Sequence, residues 1–307
     1  MSFWGVVTKD INIEGQRMEE AKRWLDGIPF GWVHQHRGVG DFLIFTPSLQ
    51  VLARKQGRPV PVWFERPDIR NLYRNAPFVK VLEKRPETPT FLENGCRYRG
   101  RGRYESTYRR MAKQFGLGGA MPLPWPFPDI EPILEGITGR EVAIINGANR
   151  GGRYGAKKIL PPDLLELIIS TLQERKLIPV PVGGTGDRGL GWFGLIEKWN
   201  LEGKFFAGET GLLDVAKVLK SCGRFISDDT GLMHLGAALN LPGLVFWRHT
   251  DTANWKPPSR LVAHVRGFDL GEVRDAVTAF LDRLGLGRDE EESFAPDSRY
   301  GQEDGPC

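Results

Sequence analysis

Residues 227–247 read SDDTGLMHLGAALNLPGLVFW, and the order of polar and apolar residues in this stretch decides the fold. It completes a short apolar run, Arg224–Ser227, that reads as a strand. Leu232–Leu239 reads as a helix, and Gly243–Trp247 is a second apolar run after the breaker at Asn240–Pro242. Short apolar strands on either side of a helix mark a parallel sheet covered on both faces. The turn Asp228-Asp229-Thr230-Gly231 therefore lies at a strand's carboxyl end and a helix start. Free backbone N–H groups and the positive end of the helix dipole make such a turn a phosphate site. Thr230 offers a hydroxyl donor there, and His234, one turn in, offers another. The alternative is that Asp229 caps the helix and His234 is a satisfied core residue.

Working outward, the same alternation continues. Upstream it reads strand Val142–Asn146, helix Leu164–Arg175, strand Ile178–Val182, helix Trp192–Trp199, strand Lys204–Ala207 and helix Leu212–Ser221; downstream comes helix Glu272–Leu284. A second set occupies the N-terminal half: strand Trp32–His36, helix Asp41–Lys55, strand Val60–Phe64, a helical stretch at Ile69–Arg74 and strand Phe78–Leu82. Residues 14–27 read as a short amphipathic helix, and 109–115 as helical. Between the halves, residues 121–128 read MPLPWPFP, where alternating prolines favour an extended spacer over a loop within one domain. The fold class expected is α/β, with two Rossmann-like doubly wound domains facing a cleft. The boundaries read as 1–135, including an extension at 1–30, then 136–285, then an acidic tail at 286–307.

Further motifs sit at strand ends, where open α/β sheets bind ligands. Arg37-Gly38-Val39-Gly40-Asp41 lets backbone approach a ligand closely, but Leu43 replaces the third glycine of a dinucleotide fingerprint. Asp41 can equally cap the helix that follows. Gly147-Ala148-Asn149 opens a glycine- and arginine-rich loop ending at Lys157-Lys158, whose basic groups suit a diphosphate or simply face solvent. Gly183-Gly184-Thr185-Gly186-Asp187 places a carboxylate where ribose hydroxyls are often bound, or forms an ordinary turn. Arg97, Arg99, Arg101 and Arg103, interleaved with Tyr98 and Tyr104, suit phosphates and stacked bases, so nucleic acid is a secondary partner to weigh.

Composition removes other classes. The chain has 307 residues, 42 Lys and Arg against 38 Asp and Glu, and a net charge of +4. Residues 31–135 hold 17 basic against 10 acidic side chains, and residues 286–307 hold two against seven. A basic N-terminal half suggests an anionic partner there. No apolar run is long enough to span a bilayer. The start lacks a secretory pattern. Cys96, Cys222 and Cys307 form neither a disulfide framework nor a zinc motif, which points to the reducing cytosol. His34 and His36 lack a third ligand at metal spacing, so no metal site is expected.

Taken in this order, the motifs resemble glycosyltransferase family 9, the ADP-heptose:lipopolysaccharide heptosyltransferases and their relatives. SDDTGLMHLGAALNLPGLVFW is similar to the family's D-[ST]-G-x-x-H-x-x-A-A-L-x-x-P segment, and GVGDFLIFTPSLQVLARK to its G-D-x-L-x-x-x-P-x-L pattern. KKILPPDLLELI resembles the Lys-x-Trp-Pro segment with Leu160 replacing tryptophan, and GGTGD resembles a Gly-Gly-x-x-acid turn. The resemblance covers about residues 31–85 and 140–285. It implies a GT-B fold, with acceptor bound by the N-terminal domain and nucleotide-sugar by the C-terminal one. The implied reaction is inverting, metal-independent transfer of a sugar from a nucleotide-diphosphate sugar, ADP-heptose-like, to a hydroxyl.

By that resemblance Asp41 is the general base and Lys158 neutralises the leaving diphosphate. Thr230, Gly231, Leu232 and His234 hold the phosphates. Asp187 binds ribose, and Asp229 orients the loop or contacts the sugar. Ala148, Asn149 and Gly184 complete the donor set; Arg37, Gly40 and the four arginines from Arg97 to Arg103 form an acceptor set. The donor is a substrate, so no cofactor is expected. The basic half suggests an anionic glycan or glycolipid acceptor in the cytoplasm or at the inner membrane face. Transfer to nucleic acid, and a catalytically silent nucleotide-sugar-binding protein, are the alternatives. The chain departs from the family's Gly-Pro-Thr-Asp turn at Trp247-Arg248-His249-Thr250-Asp251, near the expected sugar pocket.

Overall fold

The computed structural model describes residues 30–32, 39–44, 46–85, 90–91, 137–147, 157–183, 192, 195–201, 211–248, 250 and 252–287. They form two fully parallel sheets. The first contains β1 (Phe30–Trp32), β2 (Val60–Phe64), β3 (Val79–Val81) and β4 (Thr90–Phe91), in the order β3-β2-β1-β4. The second contains β5 (Glu141–Ile145), β6 (Ile178–Val182), β7 (Phe225–Ser227), β8 (Gly243–Trp247) and β9 (Val262–Arg266), in the order β6-β5-β7-β8-β9. Ile145 is level with Val182 on one side and Ser227 on the other, so three strand ends form a single ledge.

The helices are α1 (Val39–Leu43), α2 (Thr46–Gln56), α3 (Pro67–Tyr73), α4 (Pro162–Glu174), α5 (Leu195–Lys198), α6 (Leu212–Cys222), α7 (Gly231–Ala238), α8 (Thr252–Trp255) and α9 (Leu270–Arg283). Their ends follow local chemistry. Proline at the start of α4 gives up an N–H that has no intrahelical partner there. Asp269 caps α9 by accepting from the N–H groups of Gly271 and Glu272. Gly223 ends α6 in the left-handed region, at φ 69°.

Every residue of β5 and β8 is buried, as strands covered on both faces must be. Val142 and Ile144 face a cluster under α4 and α9. Ala143 and Ile145 face the other way, into a cluster that also holds Phe42, Leu49, Val60 and Leu72 of the first sheet's layer together with Val215 and Leu219 of α6. The two units are therefore joined through one apolar cluster, with α1 against α7 and α3 against α6.

Several expectations need correction. The helix expected over Asp41–Lys55 is two helices. Ile44 N donates to Gly40 O at 3.0 Å as the last bond of α1. Pro47, second in α2, has no N–H to extend that ladder onto Leu43. Asp41 is the third residue of α1, so it is not the cap of a helix that follows it. Of the helix expected over Trp192–Trp199, the described residues that are helical are Leu195–Lys198. β4, β9 and α8 were not expected. The strand expected at Lys204–Ala207, the helix at 14–27, the helical stretch at 109–115, the proline-rich spacer and the acidic tail beyond residue 287 lie outside the described residues, as do residues 33–36 of the first expected strand.

Candidate active site

Both sheets change winding direction once, and ligand crevices in doubly wound sheets open at such points. In the second sheet the change falls between β5 and β7; in the first it falls between β1 and β4. The β5 and β7 ends carry Asn146-Gly147 and Asp228-Asp229. The chain leaving β1 leads into α1, with Gly40 and Asp41.

Buried polar groups fix the β5–β7 ledge. Asp228 is fully buried; its Oδ2 accepts from Gly147 N–H at 3.0 Å, and its own N–H donates to Ile145 O at 3.1 Å. Asn146, also fully buried, accepts from Leu160 N–H at 2.8 Å and donates to Leu160 O at 3.5 Å. These bonds pin Gly147 and Leu160, on either side of the segment that carries Lys158. Lys158 Nζ lies 3.2 Å from Asp229 Oδ2, with the lysine side chain 27% exposed and the aspartate 4%. Arg248 donates to Ile159 O at 3.1 Å, linking the turn after β8 to the residue beside Lys158. Low-dielectric surroundings strengthen such contacts and raise the cost of losing one partner.

Helix α7 begins at Gly231. Its N-cap, Thr230, is extended and makes no side-chain capping bond; its N–H donates to Asp228 O at 2.9 Å. The N-cap position is thus Thr230, one residue after Asp229. His234 is 5% exposed. Burial, followed by the charges of Lys158 and His264, lowers its pKa to about 3, so the ring is neutral. Nearby on the same sheet, Trp247 Nε1 donates to His264 Nδ1 at 3.0 Å. Burial, then the charge of Lys256, lowers the His264 pKa to about 4.

Across the joint, α1 crosses α7 at two glycines. A Cβ on Gly231 would lie 2.6 Å from Gly40 N, and one on Gly40 would lie 2.9 Å from His234 Cδ2. Behind α1, fully buried Tyr73 is hydrogen-bonded to Thr46 Oγ1 and donates to Phe42 O at 3.5 Å. Its ring stacks on Phe64 at 4.9 Å, and Arg66 lies over the Phe42 ring at 5.8 Å.

The structure thus brings together Gly40, Lys158, Asp229, Thr230, Gly231, Leu232 and His234, with the backbone of Asp41 adjoining Gly40. Arg37, Arg97, Arg99, Arg101, Arg103, Ala148, Asn149, Gly184 and Asp187 lie outside the described residues. Sequence reasoning gave no role to Asp228, Asn146, Arg248 or Tyr73. Asp228 and Asn146 carried one signal, a short polar side chain directly after a buried strand. Among the described residues no group of three or more His, Cys, Asp or Glu side chains could hold a metal ion. No helix among them is long and apolar enough to cross a membrane.

Two parallel-sheet α/β units, joined where α1 meets α7 and α3 meets α6, have the fold of the GT-B class. Solved structures agree on the fold. ADP-heptose lipopolysaccharide heptosyltransferase II of E. coli superposes with a TM-score of 0.62 at 16% identity, covering 84% of this chain and 100% of that one. A glycosyl transferase family 9 protein of Veillonella parvula gives 0.55 at 14%, covering 84% and 97%. The iron-containing dodecameric glycosyltransferase TibC of enterotoxigenic E. coli gives 0.57 at 13%, covering 84% and 76%. No curated protein matches the chain.

Residues 197–279 match the model of Glycosyltransferase family 9 (heptosyltransferase). That segment contains the whole turn from Asp228 to His234. The chain is similar to that family's model over this region and to solved heptosyltransferases in its overall fold.

Proposed function

We propose that the protein is an inverting glycosyltransferase that moves a sugar from a nucleotide-diphosphate sugar, ADP-heptose-like, to a hydroxyl of an anionic glycan or glycolipid. One observation carries the reading: the crossing of α1 and α7, which sets the Gly40-Asp41 segment beside Thr230-Gly231 and the Lys158–Asp229 pair. Residues 136–285 bind the donor and residues 1–135 the acceptor, whose negative charge suits the basic half. The protein works in the cytoplasm or at the inner membrane face.

The chemistry requires a base, a diphosphate cradle and a fixed distance between them. Asp41 takes the proton of the acceptor hydroxyl as that oxygen attacks the anomeric carbon. The new glycosidic bond forms on the face opposite the diphosphate. The old carbon–oxygen bond breaks, and its electron pair leaves with the nucleotide. Lys158 and the free N–H groups at the start of α7 receive the charge that develops on the diphosphate, in place of a cation. Asp229 holds Lys158, and Asp228 holds the Gly147 end of the loop. The Arg248 turn replaces the family's Gly-Pro turn and adjusts the sugar pocket.

The test is release of ADP from ADP-heptose with deacylated lipopolysaccharide as acceptor, alongside ADP binding by calorimetry. Asp41→Ala is expected to lower turnover by about a hundredfold or more while leaving ADP affinity intact. Full activity in that variant removes Asp41 as the base. Failure of the native protein to bind ADP or release it removes the donor assignment.

A further inference from the structure

The Gly40–Gly231 crossing joins residues 191 positions apart in sequence, one from each unit. Neither glycine is among those with positive φ, so backbone freedom is not the reason for a glycine at either place. Space is the reason. A Cβ on Gly231 would stand 2.6 Å from Gly40 N, 3.3 Å from Val39 Cβ and 3.4 Å from Gly40 Cα. A Cβ on Gly40 would stand 2.9 Å from His234 Cδ2, 3.0 Å from Gly231 Cα and 3.5 Å from His234 Nε2. Comfortable carbon–carbon contact begins at about 3.5 Å. The obstructing atoms are backbone, the Val39 Cβ fixed directly to it, or a buried ring, so none can swing away as the end of a flexible side chain would.

We infer that this crossing is a positioning contact for transfer: a joint too close for a methyl group, which fixes the separation between Asp41 and the phosphate-binding end of α7. The inference rests on the proposed function. Asp41 directly follows Gly40 on α1. Gly231 is the first residue of α7, directly after the Thr230 cap and two residues from the aspartate that holds Lys158. The base and the cradle are therefore spaced by backbone packed on backbone. His234 completes the joint as a neutral ring laid against Gly40. The units have a second attachment, α3 against α6 within the shared apolar cluster, so the crossing is not what holds them together. A methyl group at Gly40 displaces α1 relative to α7 while that second attachment remains.

The experiment compares Gly40→Ala, Gly231→Ala and a control, Gly211→Ala, whose added Cβ would meet only Asp214 Oδ2 at 3.6 Å. ADP release from ADP-heptose gives kcat and KM, calorimetry gives ADP affinity, and near-ultraviolet circular dichroism reports the fold. Gly40→Ala is expected to lower kcat about a hundredfold, because a shift near 1 Å in reacting geometry has that effect. Its ADP dissociation constant is expected to stay within about threefold of native. Gly231→Ala, obstructed by backbone, is expected to lose more, and Gly211→Ala nothing. A Gly40→Ala protein with native kcat overturns the inference and leaves the proposed function standing. One that does not fold, or that loses ADP affinity in parallel with kcat, shows a structural or binding contact and also overturns it. A native protein that releases no ADP removes the proposed function, and the inference with it.

Discussion

The two sides of the α1–α7 joint hold their loops by different means. On the C-terminal side the holding groups include two carboxyl side chains, Asp228 on Gly147 N–H and Asp229 on Lys158, beside the neutral Asn146 amide on Leu160. On the N-terminal side they are neutral: the Tyr73 hydroxyl on Thr46 and on Phe42 O. The difference suits what each side is proposed to do. A cradle for a diphosphate needs fixed charge, and a buried carboxylate is the group that can clamp a lysine. A helix bearing a catalytic carboxylate is better held by groups that leave that carboxylate's charge alone. It follows that losing Asp229 strands the Lys158 charge and losing Asp228 strands a buried N–H, whereas losing the Tyr73 hydroxyl strands only another hydroxyl, and the penalties should differ accordingly.

Acid should expose the difference most strongly. His234 is neutral when folded, with its pKa lowered to about 3, and binds a proton near pH 6.5 when unfolded. Below pH 6.5 the unfolded state therefore holds more protons, so stability is fully present above that pH and is lost as pH falls toward 3. The slope from this one residue reaches about 1.4 kcal/mol per pH unit. His264, lowered to about 4, adds loss in the same direction. Urea titrations from pH 7 to pH 4 should show this decline, and His234→Gln should flatten it. An unchanged slope in the variant would place the acid sensitivity elsewhere.

Next in size is Asp228→Ala, which leaves the Gly147 N–H without its carboxylate. Denaturant melts should show a loss of about 2–3 kcal/mol, with weakened ADP binding as the loop end is released. Smallest is Tyr73→Phe, which removes one hydroxyl and strands Thr46. About 1 kcal/mol is expected, with turnover falling more than ADP affinity because α1 is on the base side. Equal losses for Asp228→Ala and Tyr73→Phe would erase the contrast.

Local pattern made the C-terminal sheet legible. Ile178–Val182 and Gly243–Trp247 stand where expected because a buried parallel strand is an uninterrupted apolar run. β9 escaped because His264 and Arg266 break such a run at the sheet edge, where burial is partial. The split between α1 and α2 was signalled by Pro47 but hidden by the apolar spacing that continues across it. For the site, type and order of residues pointed to the strand-end turns. The pairings inside them did not show. Asp228 meets Gly147 across 81 residues and Tyr73 meets Thr46 across 27, and neither distance leaves a periodic trace. In the sequence Gly40 reads as a residue that lets backbone approach a ligand, and Gly231 as part of the phosphate-holding turn. Only the assembled joint shows that each is there for its missing side chain.

The apolar cluster shared by the two sheets also bears on how the molecule comes apart. Leu72 and Val60 from one unit and Leu219 and Val245 from the other lie in the same cluster. Melting either unit would bare its partner's side chains to water, at about 25 cal/mol for each Å² of apolar surface. Neither half is then an independent folding unit, and heating should produce one calorimetric transition rather than two.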